Sequence, residues 1–207
     1  EKLPWWDEIA FLLKNCNQKT LQLDSWKTPI NLDQTAKNSN IKEVLQRIKA
    51  DSSKQMDEKI LSLKKVLNLP PNFTPPHQNL FMNWEMLKDM EKNGMTIGSQ
   101  SCSHRIMSHL SIEEQFNEAS NSKIILSERL KNNIACFAYP VGGNSSFTKV
   151  TEDILRKLKY TFGFSFVPGI NRTIDNHCFH LKRFSVDSNC STEQLKQQIN
   201  KATLTRL

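Results

Sequence analysis

Four of the eight residues from Leu69 to Pro76 are proline (Leu-Pro-Pro-Asn-Phe-Thr-Pro-Pro). No helix crosses such a run, because each ring removes a backbone donor and pushes the preceding residue out of the helical region. The segment therefore divides the chain, and the two sides differ in texture. Before it, apolar residues recur three times near helical spacing: Trp5, Trp6, Ile9, Leu12 and Leu13, then Ile41, Val44, Leu45 and Ile48, then Ile60, Leu61, Leu63, Val66 and Leu67. Residues 1–76 read as a helical region in which Asp33–Asn40 is a loop.

After the prolines, helix and strand alternate. Trp84–Asn93 reads as a helix closed by Gly94 at the position just past its end. Met95–Ser99 is a short strand. Ser111 caps a helix that runs to about Lys131. Ile134–Tyr139 is a strand stopped by Pro140, and Thr148–Leu158 a helix with Val150, Ile154, Leu155 and Leu158 on one face. Tyr160–Val167 is a strand stopped by Pro168-Gly169. Phe179–Val186 is a further strand, and Thr192–Ala202 a final helix. Such alternation predicts an α/β fold with a largely parallel sheet, its strands ending near Ser99, Tyr139, Val167 and Val186 side by side.

Composition narrows the class. With 207 residues, 38% apolar and 24% charged, the chain is neither disordered nor a membrane bundle, and no run of about 18 apolar residues is present. The net charge is +7, but the basic residues are scattered, and no basic run is interleaved with aromatics, so a nucleic-acid partner is not expected. Five cysteines without a Cys-x-x-Cys pair read as reduced thiols, which favours a cytoplasmic setting. The opening Glu1-Lys2-Leu3-Pro4-Trp5-Trp6-Asp7 resembles no signal peptide and carries no initiator Met, so the chain is expected to be a piece of a longer protein.

Four spots with chemical potential follow strands: Gln100–His109, Pro140–Asn144, Pro168–Arg172, and Lys182-Arg183. In a βα barrel the loops after the strands share one face, so these distant segments are expected to converge. His104 suits a divalent metal as a neutral imidazole, or else serves as an ordinary hydrogen-bonding histidine. His109 reads as a turn residue before the Ser111 cap. Pro140-Val141-Gly142-Gly143 exposes backbone N–H groups that either stabilise a developing oxyanion or simply turn the chain.

These segments, in this order, resemble the polysaccharide deacetylases, carbohydrate esterase family four, in the nodulation-type form. Ile97-Gly98-Ser99 through His104 resembles the family's second motif, a His, Ser or Thr, two residues, then His. Phe137-Ala138-Tyr139-Pro140-Val141-Gly142 resembles the third. Phe164-Ser165-Phe166-Val167-Pro168-Gly169-Ile170-Asn171 and Leu181-Lys182-Arg183 resemble the segments that follow. The resemblance implies a partial distorted (β/α) barrel, with residues 1–76 a helical insertion packed outside it and 77–207 the C-terminal part of the barrel. It implies a hydrolase that removes N- or O-acetyl groups from an acetylated carbohydrate with the help of a divalent metal, zinc above others. It assigns His104 as a metal ligand and Gln100 to the position of the other histidine of that motif. Val141 takes the role of oxyanion donor through its backbone, and Arg183 is a catalytic candidate at the end of the last strand.

The departures from the family are specific. The family's Thr-Phe-Asp-Asp motif, source of the catalytic base and a metal-binding Asp, does not occur and is expected upstream of Glu1. Gln100 offers a neutral amide oxygen, a poor zinc ligand beside imidazole. Ala138 stands where many members carry an Arg, and Val141 replaces an aromatic residue. No Leu-x-His acid is present, the last strand ending in Arg183, with His180 as a substitute or a structural residue. Zinc binding by this chain is therefore expected to be weak. The expected reading is a fragment or weakened member, and the alternative is a non-catalytic carbohydrate- or partner-binding relative that has lost the metal.

Overall fold

A computed structural model describes residues 3–32, 35–50, 56–74, 81–173, 178–186 and 189–204. The chain forms two compact units, Glu1–Leu80 and Phe81–Leu207.

In the first unit the three apolar stripes become helices α1 (Trp5–Lys14), α2 (Lys37–Ala50) and α3 (Met56–Val66). α2 begins three residues before the end of the expected Asp33–Asn40 loop; Asp33 and Gln34 lie outside the described residues. Between α1 and α2 stands a small antiparallel pair, β1 (Thr20–Leu21) with β2 (Ile30–Asn31), in the register Thr20↔Asn31 and Leu21↔Ile30. Leu21, Leu23, Ile30 and Leu32 turn inward at every second position and join Ile9, Leu12, Val44, Ile48, Ile60 and Leu63 in one core. Glu8 and Lys64 are both buried and meet at 3.0 Å, and the Lys64 ammonium also donates to the Pro71 carbonyl at 3.2 Å. The pairing offsets the cost of burying either charge alone. α3 ends where Asn68 turns to φ 57°, after which the proline segment folds back and stacks Phe73 on Phe11 at 5.3 Å.

In the second unit α4 (Trp84–Lys92) starts at Asn83, whose side chain accepts the Met86 N–H. It ends with Gly94 at φ +86°. α5 (Ile112–Leu130) opens on the Ser111–Glu114 capping box and stops at Lys131 in the left-handed region. β3 (Cys136–Ala138) pairs in parallel with β4 (Phe162–Phe164), and α6 (Lys149–Lys157) crosses between them. Ser99 makes a parallel bridge to Phe137 and Leu181 one to Phe164, so four parallel segments lie in chain order. The expected strands are thus present in part: Met95–Ser99 and Phe179–Val186 each pair through a single residue. Backbone bonds nonetheless continue beside these bridges: Gly163 donates to the Cys178 carbonyl at 2.7 Å, Leu181 to Gly163 at 2.9 Å and Ser165 to Leu181 at 2.7 Å. Among the described residues the sheet is open and no barrel closes. α7 (Thr192–Leu204) completes the unit.

The core of this unit is aromatic. Phe137 and Tyr139 alternate inward with Gly163 opposite, and Tyr139 stacks on Phe147 with ring centres 3.7 Å apart. A Cβ at Gly163 would stand 2.8 Å from the Tyr139 hydroxyl, so only glycine lets that hydroxyl reach the Phe179 carbonyl at 2.7 Å. The Tyr160 hydroxyl donates to the Ala119 carbonyl at 2.9 Å. Burial pushes both phenols above their ordinary value of 10.0, and the nearby Glu152 carboxylate adds to the effect on Tyr139. These are the chain's only two tyrosines. Since the unfolded chain ionises first, stability is fully present below pH 10 and is lost as pH rises beyond it. In a urea series from pH 8 to 11.5 the unfolding midpoint should stay level and then fall above about 10, with phenolate absorbance appearing only as the fold is lost.

Candidate active site

Parallel strands in register put their C-terminal ends on one edge, and the four chemical spots all leave from it. Direct hydrogen bonds then join these spots, or the residues next to them, in sequence order. Ser108, in the loop after Ser99, donates its N–H to the Ser146 carbonyl at 3.0 Å and its hydroxyl to the Ser145 carbonyl at 2.6 Å, beside the turn after β3. From the segment after β4, Phe166 donates its N–H to the Gly142 carbonyl at 2.7 Å. Arg183, after Leu181, donates its Nε–H to the Ser165 carbonyl at 2.7 Å and its N–H to the Val167 carbonyl at 3.1 Å. Asn171 and Lys182 exchange a reciprocal pair at 3.0 and 2.9 Å.

The first loop leaves the sheet at Gln100, which is exposed, and carries His104 four residues on, half-buried with its Nδ1 shielded from solvent. The Ser101 hydroxyl accepts the His104 N–H at 3.0 Å. Ser101 and His104 both take positive φ, 66° and 55°. His109 ends a short 3₁₀ turn, Met107–His109, and faces solvent. Cys102 is no activated thiol: burial, and then the Glu118 carboxylate, push it up from its ordinary value.

The second turn places Val141 at φ 62° and Gly142 at φ +69°. Gly142 donates to the Pro140 carbonyl at 2.7 Å, whereas among the described residues the Val141 N–H has no acceptor in the protein. The Val141 side chain is exposed beside it. An unspent N–H at the end of a strand is the kind of donor that a developing oxyanion takes. Arg183 has its Nε committed to a carbonyl, and its guanidinium lies 5.4 Å from the Phe166 ring centre. Burial lowers its pKa from the ordinary arginine range, but an arginine still keeps its proton. It is placed to hold the Ser165–Val167 segment. His180 sits against the Phe147 ring at 4.8 Å with Nδ1 3.6 Å from a Glu152 oxygen.

Among the described residues no three His, Cys, Asp or Glu side chains stand close enough to hold a metal ion. A zinc site with an open position needs about three protein ligands. One imidazole and one neutral amide do not fit that need.

The family model for polysaccharide deacetylases matches residues 40–163, more than half the chain. The chain belongs to the polysaccharide deacetylase family. Among solved structures, this family member is similar to the Streptococcus pyogenes deacetylase PplD, determined in complex with acetate. The two share 27% identity and a TM-score of 0.52, over 57% of this chain and 50% of that one. It is also similar to IcaB from Ammonifex degensii (20% identity, TM-score 0.46, 57% of this chain and 53% of that one). A third likeness is to a de-N-acetylase from Aggregatibacter actinomycetemcomitans (14%, 0.45, 70% of each chain). The chain spans about half the length of the first two. No curated protein matches it. The likeness to the streptococcal enzyme agrees with the α/β fold. Among the described residues no helix is long and apolar enough to cross a membrane.

Sequence reasoning passed over Glu118 and took in Ser108 and Phe166 only as members of longer segments, and all three hold the loops of this edge together. Glu118 left a trace: with Glu114 and Ser122 it forms a polar stripe at four-residue spacing along α5.

Proposed function

We propose that the protein containing this chain removes acetyl groups from an acetylated carbohydrate by hydrolysis, and that residues 1–207 supply the oxyanion side of its site. The reading rests on family membership, and the observation in this chain that carries it is the Val141 N–H, unspent in the turn after β3 beside Gly142, whose carbonyl takes the Phe166 N–H. Water adds to the acetyl carbonyl, the carbonyl oxygen becomes an oxyanion, and the Val141 N–H donates to it. Collapse expels the sugar amine or hydroxyl, which takes a proton, and frees acetate. A backbone donor of this kind contributes about 10²- to 10³-fold in kcat.

Among the described residues of this edge no base that activates water is assigned. In this reading it comes from an acidic motif outside residues 1–207, as does the rest of any metal site. The experiment is acetate release from N- and O-acetylated amino-sugar oligomers by the natural protein in full. Release is expected, and His104→Ala should lower it by at least about 10²-fold. No release from any acetylated oligomer, with the oligomer still bound, would replace this reading by a carbohydrate-binding one.

A further inference from the structure

One side of α5 carries Glu114, Glu118 and Ser122, each about one helical turn from the next. All three hold the segment that runs from Ser99 to the Ser111 cap, and they meet it in reverse order. Ser122 Oγ lies 2.6 Å from Ser99 Oγ. Glu118 accepts the backbone N–H groups of Cys102 and Ser103 at 2.8 and 2.9 Å, and the Ser103 hydroxyl as well. Glu114 accepts from the Arg105 guanidinium at 3.1 Å and from the Ser111 N–H at 2.9 Å.

The middle contact falls where the backbone most needs one. Ser101 and His104 both lie in the left-handed region, which residues with side chains avoid. Between them stand the two N–H groups that Glu118 takes. Two successive amides turned toward one anion form a concavity that a carboxylate fills and thereby fixes. Ser99 is paired to the sheet and Arg105 to Glu114, so Glu118 restrains the stretch between those anchors and, with the Ser101–His104 bond, determines where His104 sits.

We propose that Glu118 is a positioning residue of the deacetylase site: its carboxylate fixes the Gln100–His104 loop and, through it, the place of the His104 imidazole at the sheet edge. The functional half of this statement rests on the deacetylase reading above. Glu118 touches no reacting atom and acts only through the loop.

The test uses Glu118→Ala and Glu118→Gln, in the 207-residue chain for amide exchange and in the natural protein in full for acetate release. In the Ala variant the Cys102 and Ser103 amides should exchange at least about tenfold faster, while those of Ala138 and Gly163, bonded within the sheet, keep wild-type rates. The ring resonances of His104 should change from one sharp set to a broadened or doubled one. Acetate release should lose about tenfold in kcat with KM within about twofold, since a loosened loop spoils alignment more than binding. The Gln variant keeps one acceptor oxygen and should recover part of both effects. Unchanged Cys102 and Ser103 rates would overturn the proposal. So would acceleration spread evenly to Ala138 and Gly163, or an unchanged kcat with a loosened loop. If the Ala variant does not fold, the same amides in the Gln variant decide. If wild-type protein releases no acetate, the deacetylase reading and the catalytic half of the proposal fall together, and the amide rates still decide whether Glu118 fixes the loop.

Discussion

Gly142→Ala is expected to destabilise the second unit by about 3 kcal/mol and to break the turn that presents the Val141 N–H. Gly142 has φ +69°, and a Cβ there would stand 2.7 Å from the Phe166 nitrogen and 3.1 Å from the Tyr139 carbonyl oxygen. Neither neighbour is the yielding tip of a flexible side chain. The Phe166 nitrogen is bonded to the Gly142 carbonyl, and the Tyr139 backbone is bonded to β4 through the Phe164 carbonyl. The cost is therefore a left-handed residue plus a backbone displacement. Gly143→Ala is the control. Its nearest neighbour would be Ser146 Oγ at 3.7 Å and its φ is not in the left-handed region, so its cost should stay within about 0.5 kcal/mol. Urea midpoints of the two variants decide the matter: equal midpoints would mean that the turn is soft and that its conformation is not what holds the donor in place.

The second large effect is a gain. Gln100→His should raise the zinc affinity of the 207-residue chain by at least about tenfold, because a second imidazole replaces a neutral amide at the mouth of the loop. In the natural protein, acetate release should rise along with zinc affinity, and adding His104→Ala should cancel both gains. Calorimetric titration beside an acetate assay reads the two quantities separately. Tight zinc binding by the wild-type natural protein, unchanged by the substitution, would show that Gln100 is no handicap and that the cation is held without it.

The two halves of the fold were unequally legible. The helices could be read because a stripe of apolar residues extends over three or four turns, and because Gly94 and Ser111 mark an end and a start by backbone geometry rather than by packing. β1 and β2 escaped because two paired residues leave only Leu21-Gln22-Leu23 and Ile30-Asn31-Leu32 as a pattern, too short to separate from a loop. The segments around Ser99 and Leu181 were readable as apolar runs but not in paired length, since pairing depends on what the neighbouring backbone offers. The four chemical spots could be placed at one edge from topology alone. Their cross-links could not, because a carbonyl that accepts from Ser108 or Arg183 has no signature in the residue that carries it. Nor could the positive φ of Val141, which sequence preference argues against and tertiary packing imposes.

Three of α5's loop contacts fall on successive turns of a single rigid rod, and this limits how the helix can change in length. Inserting or deleting one residue between Glu114 and Ser122 turns everything beyond it by about 100° and shifts it by about 1.5 Å. At least one of the three anchors then faces away from the loop while the others stay in place, and Ser99, Cys102 and Arg105 can no longer be satisfied together. The loop itself cannot compensate by adding a residue, because its two left-handed positions bracket the amides that Glu118 takes. Beyond Ser122 the next residue is anchored too, Lys123 donating to the Leu158 and Lys159 carbonyls at 3.0 and 2.8 Å, so the helix has a fixed length from Glu114 to at least Lys123.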